Sequence, residues 1–116
     1  MSENLLVQKS KALALEIVLI YKYLQSKKEL VMSKQLLRSG TSIGANIAEG
    51  QYAQSKADFL TKYSIALKEA SESLYWLDLL QASGYLSGYE STAVIVDKCN
   101  EMLRLLVAST KKLKGV

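Results

Sequence analysis

The sequence contains no proline and no histidine among its 116 residues. Because no proline interrupts the chain, long uninterrupted helices are permitted throughout. Histidine is the most common general base and metal ligand, so its absence excludes the glutamate–histidine di-iron sites of helical bundles. A serine nucleophile would find only lysine or carboxylate side chains as its base. We therefore predict a protein that is not an enzyme and that holds no metal or other cofactor.

Cysteine and long apolar runs are also scarce. The one cysteine, Cys99, cannot form a disulfide within the chain, and its place on an apolar helical stripe favours a buried, unreactive thiol. The longest apolar stretch, residues 12–24, is shorter than the roughly 20 residues needed to span a bilayer and is interrupted by Glu16 and Lys22. The N-terminus has an early acidic residue, Glu3, and does not predict a signal peptide. The expected location is the cytoplasm, without membrane contact.

The most prominent feature that is present is helical periodicity. Apolar residues recur at spacings of three and four along most of the chain, which is typical of one buried face of a helix. The pattern predicts helices over residues 4–26, 29–49, 55–82 and 89–113, joined by short turns. Short turns make consecutive helices antiparallel. We therefore predict an all-α, up-down-up-down four-helix bundle that forms a single domain over residues 1–116.

Local signals mark the predicted helix ends. Glu29 stands in the first turn of the second helix, where its carboxylate suits the positive end of the helix dipole. Ser55 and Asp58 have the spacing of a capping box, with aspartate in place of the usual glutamate or glutamine. Gly50 and Gly84 follow the second and third helices, and we predict that they cap these helices in the left-handed conformation.

Lysines concentrate at one end of the predicted bundle. The topology brings together the start of the first helix, the turn between the second and third helices and the end of the fourth, and we call this the basic end. Six lysines are drawn towards it: Lys9, Lys11, Lys56, Lys111, Lys112 and Lys114. They form either a solvated surface that suits the helix dipoles or a contact surface for nucleic-acid phosphates, and the net charge of +4 is compatible with both. Tyr52, near this end, either stacks on a base or packs within the turn.

A strip of very small residues lies on the predicted second helix. Gly40, Gly44 and Ala48 are spaced four apart, so they share one narrow face. Glycine inside a helix costs about 0.5–1 kcal/mol relative to alanine, and two of them indicate that another segment packs very close to this backbone. That segment is either a neighbouring helix or another subunit. Asn46 and Glu49, on a second strip of the same helix, either satisfy local backbone groups or lock an interface between subunits.

Apolar residues outside the main stripes favour an interface. The predicted second and third helices carry more apolar residues than one core requires, namely Leu30, Val31, Leu60, Leu67, Tyr75 and Trp76. Such a surplus is usually buried against a partner, which favours homo-oligomerisation over a monomer. Glu69 and Glu72 lie one turn apart and could hold a metal ion, but a solvated helix face is the expected environment for them.

The residues around the small strip resemble the signature of a known family. Residues 35–39 and 41–50 closely resemble the four-helix-bundle proteins found in intervening sequences of bacterial 23S ribosomal RNA genes. The resemblance continues over nearly the whole chain, through Ser55, Phe59, Ile65–Ala66, Glu69–Ser73 and Ser83–Leu86. A more distant similarity, in fold and size, extends to the accessory variability proteins of diversity-generating retroelements, which bind nucleic acid and a reverse transcriptase.

The resemblance implies a left-handed four-helix bundle that assembles as a homo-pentamer, without an established biochemical activity. Family members often have arginine or lysine just after Gly50, where this chain has Gln51–Gln54, and this difference weakens a nucleic-acid role for the turn itself. Our leading hypothesis is a non-enzymatic, oligomeric binding or scaffolding module that contacts RNA or DNA through the basic end. The alternative is an adaptor that recruits a partner protein without nucleic-acid contact.

Overall fold

The computed structural model describes the backbone of residues 2–115 and the side chains of residues 5–115. This part of the chain contains four helices: α1 (Ser2–Ser26), α2 (Met32–Gly50), α3 (Lys56–Ala82) and α4 (Thr92–Lys114). Each helix packs against the helices before and after it in sequence, and α4 closes the arrangement against α1. The resulting body measures 44 × 22 × 21 Å. The prediction of an all-α, antiparallel four-helix bundle is confirmed.

The core is a column of apolar side chains enclosed by the four helices. Its most buried members follow the predicted spacing of three and four: Leu13, Ile17, Ile20 and Leu24 on α1; Leu36, Ile43 and Ile47 on α2; Tyr63, Ala66, Ala70, Leu77 and Leu80 on α3; Ile95, Cys99, Met102 and Leu106 on α4. Burial of each large aliphatic side chain contributes about 1.5–3 kcal/mol to stability. Within the described range, no helix has the length and apolar character needed to cross a membrane.

The turn between α1 and α2 shows why α2 begins at Met32 and not at the predicted Glu29. Lys28 adopts a left-handed conformation with a φ of 63°, and the Glu29 N–H donates to the Leu24 carbonyl at 3.0 Å, so the chain leaves α1 at this point. The buried Glu29 carboxylate then accepts hydrogen bonds from the N–H groups of Met32 at 3.0 Å and Ser33 at 2.7 Å. Glu29 therefore caps α2 from three residues before its start.

The connection between α2 and α3 corrects the prediction for Gly50. Within the described chain, positive φ angles occur at Lys28, Gly84 and Gly115, so Gly50 is not a left-handed cap. Instead, Gly50 is the buried last residue of α2. A Cβ atom at Gly50 would lie 3.0 Å from Cε1 of Tyr63. Glycine at this position serves the close approach of a tyrosine ring to the backbone.

The two ends of α3 follow their predicted signals. The Asp58 N–H donates to Ser55 Oγ at 3.0 Å, as in a capping box. The Asp58 carboxylate accepts from the Gln54 N–H at 3.2 Å, one residue earlier than in the usual motif. Gly84 follows the helix with a φ of 87°, and the left-handed cap predicted there is confirmed.

The loop between α3 and α4 is longer than the sequence pattern predicts. α4 begins at Thr92, whereas the predicted start is Tyr89. The Tyr89 ring packs against the Tyr23 ring of α1, with centroids 4.8 Å apart. A Cβ atom at Gly88 would lie 2.8 Å from the Tyr23 hydroxyl oxygen. The chain is thus held against α1 at residues 88–89 before it enters α4.

Candidate nucleic-acid interface

An open cleft lies at the basic end, between the start of α1, the α2–α3 connection and the end of α4. Its volume is about 800 Å³. The apolar part of its lining includes Leu6, Phe59, Tyr63 and Leu113, and the polar part includes Gln51, Gln54, Ser55, Lys56, Ser109 and Lys112. Among the side chains that the structure describes, the lining has two lysines and no carboxylate. The electrostatic field of this cleft therefore suits an anionic ligand.

Two aromatic rings form part of the cleft wall. Phe59 and Tyr63 lie one turn apart on α3, and their ring centroids are 4.3 Å apart. The side-chain amide of Gln51 donates to the Tyr63 hydroxyl at 3.2 Å, and it also lies 3.1 Å from the Ile47 carbonyl oxygen. These contacts tie the ring of Tyr63 to the end of α2.

Four of the six lysines predicted at the basic end lie at or near this cleft. Lys56, the first residue of α3, and Lys112, in the last turn of α4, both line it. Lys111 and Lys114 are exposed in the same last turn of α4. None of the four forms an ion pair with a side chain in the described range. Within the described range, these four lysines form a positive surface that is not paired with a carboxylate.

The other two lysines lie outside the cleft. The Lys9 ammonium group lies 3.0 Å from Oε2 of Glu101 on α4. Lys11 is exposed, and it lines a shallow groove between α1 and α2 together with Ala45 and Ala48. The structure therefore separates both residues from the cleft. Tyr52, in contrast, is 89% exposed in the turn beside the cleft, so it does not pack within that turn.

The small strip of α2 faces α1. A Cβ atom at Gly40 would lie 2.8 Å from Cγ1 of Ile17, and one at Gly44 would lie 3.2 Å from Oγ of Ser10. The third member, Ala48, is exposed in the groove between the two helices. Both glycines thus serve close packing inside the bundle, which is one of the two alternatives that the sequence leaves open.

Asn46 and Glu49 make contacts within the chain. The Asn46 side-chain amide donates to the Ser42 carbonyl at 2.9 Å. Glu49 accepts from the Lys62 ammonium group on α3 at 3.0 Å, and this hydrogen bond, together with the charge of Glu49, raises the pKa of Lys62. One residue thus satisfies a backbone carbonyl within α2, while the other links α2 to α3.

Sequence reasoning missed a polar cluster between α2 and α3. The Arg38 guanidinium lies 3.2 Å from Oε1 of Glu69 and also pairs with the Glu72 carboxylate. The indole N–H of Trp76 donates to Glu72 Oε2 at 2.8 Å. A signal for this cluster was available, because antiparallel neighbours place an arginine on α2 opposite a pair of carboxylates one turn apart on α3. Among the described residues, no group of acidic, cysteine or histidine side chains is arranged to hold a metal ion.

Cys99 lies in the core between α3 and α4. The side chain is fully buried, and its Sγ atom lies 3.4 Å from the Ala70 carbonyl oxygen. Burial raises the pKa of the Cys99 thiol to about 12. Because the thiolate is the reactive form, burial and the raised pKa both disfavour reaction of this thiol, in agreement with the buried thiol that the sequence predicts.

Comparisons with known proteins agree with this architecture. A profile of the 23S rRNA-intervening sequence protein family matches residues 2–108. The fold is similar, with a TM-score of 0.90, to the crystal structure of a protein of unknown function from Bacteroides thetaiotaomicron, which is described as a member of the S23 ribosomal protein family. That protein is 49% identical to this chain, over 96% of this chain and 99% of its own. No curated protein matches the sequence. The resemblance to the intervening-sequence proteins is thereby confirmed, and the chain belongs to the 23S rRNA-intervening sequence protein family.

Proposed function

We propose that the protein acts in the cytoplasm as a non-enzymatic, oligomeric helical bundle that binds single-stranded RNA or DNA at its basic end. One observation carries this proposal. Lys56 and Lys112 come from two different helices and line the same cleft, whose described lining contains no carboxylate. Lys111 and Lys114 extend the positive surface along the last turn of α4.

The chemistry of this surface suits a flexible phosphate chain. Lysines that neutralise phosphates release condensed counterions, so the logarithm of the binding constant falls by about 0.7 per contacted phosphate of a single strand for each tenfold rise in salt. Tyr52, which is 89% exposed, offers a ring face on which any base can stack. Because phosphate contacts supply much of the affinity, we expect binding that is strong at low salt and weak at high salt. The net charge of only +4 adds little further attraction.

A charge-reversal experiment tests the proposal. Fluorescence anisotropy measures the binding of a labelled single-stranded RNA to the wild type and to the double variant Lys56→Glu/Lys112→Glu. We expect the variant to bind at least about tenfold more weakly, with a salt slope smaller by about 1.4, which corresponds to two lost phosphate contacts. The matched control is Lys34→Glu/Lys68→Glu, which reverses two exposed lysines away from the cleft. Equal loss in both variants, or no binding by the wild type at low salt, contradicts the proposal.

An adaptor that recruits a partner protein is the second candidate function. It is favoured by Leu30 and Val31, which are 53% and 73% exposed in the α1–α2 turn, at the opposite end of the bundle from the cleft. Adjacent exposed aliphatic side chains at a turn are suited to a pocket on a partner. This candidate gains support if the wild type does not bind nucleic acid at low salt and retains a partner that the variant Leu30→Ser/Val31→Ser loses.

The proposal also states that the bundle is oligomeric. Leu15 and Leu19 are 59% and 53% exposed one turn apart on α1, next to the helix face that forms the groove with Ala45 and Ala48. We propose that this surface is buried against another copy of the chain, and the family resemblance suggests five subunits. Light scattering of the wild type and of Leu15→Glu/Leu19→Glu tests this. We expect the variant to dissociate while the control Tyr85→Glu/Val94→Glu, at two other exposed apolar positions, does not. A monomeric wild type contradicts the proposal.

A further inference from the structure

The cleft at the basic end combines an apolar surface with a positively charged one. Ligand pockets generally have volumes of about 300–1,000 Å³, and this cleft falls within that range at about 800 Å³. Phe59 and Leu113 belong to its apolar lining, and Lys56 and Lys112 supply positive charge from α3 and α4. A ligand that fills the space must therefore be apolar in one part and anionic in another.

The remaining polar groups of the cleft suit the edge of a base. The side chain of Gln54 is exposed, and its amide forms no hydrogen bond in the described part of the chain, so it offers both a donor and an acceptor. The Ser109 hydroxyl lines the cleft from α4 and is likewise not engaged. The Asp58 carboxylate keeps its negative charge while it accepts the Gln54 N–H at 3.2 Å, but it is not part of the lining and does not contact a ligand inside the cleft.

From these contacts we infer that the cleft holds one unpaired nucleotide, with its base against the Phe59 side of the wall and its phosphates near Lys56 and Lys112. This inference rests on the proposed function and adds a preference to it. A base inside a duplex is paired and stacked, so only a single strand, a loop or a strand end can supply a base to this cleft. The protein therefore selects unpaired nucleotides by shape and not by charge alone.

The test distinguishes the contribution of the base to binding from that of the phosphates. Binding of two single strands of equal length is measured by anisotropy: one carries a single 2-aminopurine at its centre among abasic residues, and the other is abasic throughout. We expect the wild type to bind the base-containing strand roughly tenfold more tightly, which is within the range that stacking of one base contributes. The 2-aminopurine fluorescence should be quenched on binding.

Two variants probe the cleft itself. Ser109→Trp fills it from α4, and Phe59→Leu keeps an apolar side chain but removes the ring. Both variants are expected to abolish the difference in affinity between the two strands. Circular dichroism confirms the fold of each variant, and the fluorescence quenching of the wild type gives a readout that requires no variant.

The outcomes distinguish the two proposals. If both strands bind equally well to the wild type and 2-aminopurine is not quenched, the nucleotide site is overturned while nucleic-acid binding at the basic end stands. If neither strand binds at low salt, the proposed function itself fails, and the nucleotide site fails with it.

Discussion

Near the middle of α2, the contacts with α1 differ in kind from the contacts that Arg38 makes with α3. Towards α1, the backbone comes so close that a Cβ atom at Gly40 would lie 2.8 Å from Cγ1 of Ile17. Towards α3, Arg38 pairs with the carboxylates of Glu69 and Glu72 at a partly exposed surface. Among the described side chains, ion pairs join α2 to α3 and α1 to α4, and none joins α1 to α2.

The difference shows which contacts tolerate change. A packed backbone-to-side-chain contact has no space for an added atom, because protein interiors are close-packed. An exposed ion pair can be replaced by water and counterions at little cost. The Gly40 position, which faces α1, therefore has no space for an added carbon atom, whereas the exposed Arg38 position, which faces α3, accepts a range of polar residues.

The largest effect is expected where α2 meets α1. Gly40→Leu places a branched side chain where even one carbon would overlap Ile17, so the loss of stability should reach or exceed the upper end of the 1–3 kcal/mol that is typical of overpacking. Gly44→Leu should fall within that range. Urea unfolding monitored by circular dichroism measures both. The matched control is Lys34→Leu, an exposed position on the same helix away from the groove, where a change within about 0.5 kcal/mol is expected. A loss of similar size in the control would remove the special role of the strip.

The cap of α2 should have an intermediate effect. Burial acts to raise the pKa of Glu29, but the hydrogen bonds from Ser33, Met32 and Val31 outweigh it and lower the pKa below the usual 4.5. The stabilisation by this carboxylate is therefore complete above pH 4.5 and is lost as the pH falls through the lowered value. Glu29→Gln should cost about 0.5–2 kcal/mol at pH 7 and flatten the acid limb of the stability curve.

Thermal melts between pH 3 and pH 7 provide the measurement for Glu29. The control is Glu90→Gln, an exposed glutamate in the other loop at the same end of the bundle, which should leave the acid limb unchanged. If the wild type and Glu29→Gln lose stability in parallel below pH 4.5, the carboxylate is not the cap that the hydrogen bonds indicate.

The smallest effect is expected on the α3 side. Arg38→Ala removes two partly exposed ion pairs, each of which is worth about 0.2–1 kcal/mol at most. The loss should shrink further in 1 M salt, because screening acts on exposed charges. Trp76 is the one tryptophan of the chain and donates to Glu72, so its emission also reports a rearrangement of the cluster. A loss as large as that of Gly40→Leu would reverse the comparison.

Periodicity was sufficient to predict four helices and most of the core, because apolar spacing is set by helix geometry alone. It could not place the start of α2, since a glutamate three residues before a helix and one in its first turn give the same local sequence. It also misassigned Gly50, because glycine is used both for left-handed backbone and for close approach, and only the position of the Tyr63 ring distinguishes them.

The candidate site was predictable only in outline. Topology placed lysines near one end, and Lys56 and Lys112 do meet at a cleft there. The pairing of Lys9 with Glu101 depends on the rotation of α1 against α4, which the apolar stripes define only to within a neighbouring position. The aromatic wall of the cleft was not foreseen, because Phe59 and Tyr63 have the spacing of ordinary core residues.

Labelling of the buried Cys99 thiol can measure how often the bundle opens. Cys99 has no exposed surface in the closed bundle, so a thiol reagent can reach it only when the helices around it separate. At high reagent concentration, the labelling rate then becomes the rate of that separation and no longer depends on the reagent. When this rate is measured with and without a bound strand, it shows whether a ligand at the basic end slows the opening of the bundle around Cys99.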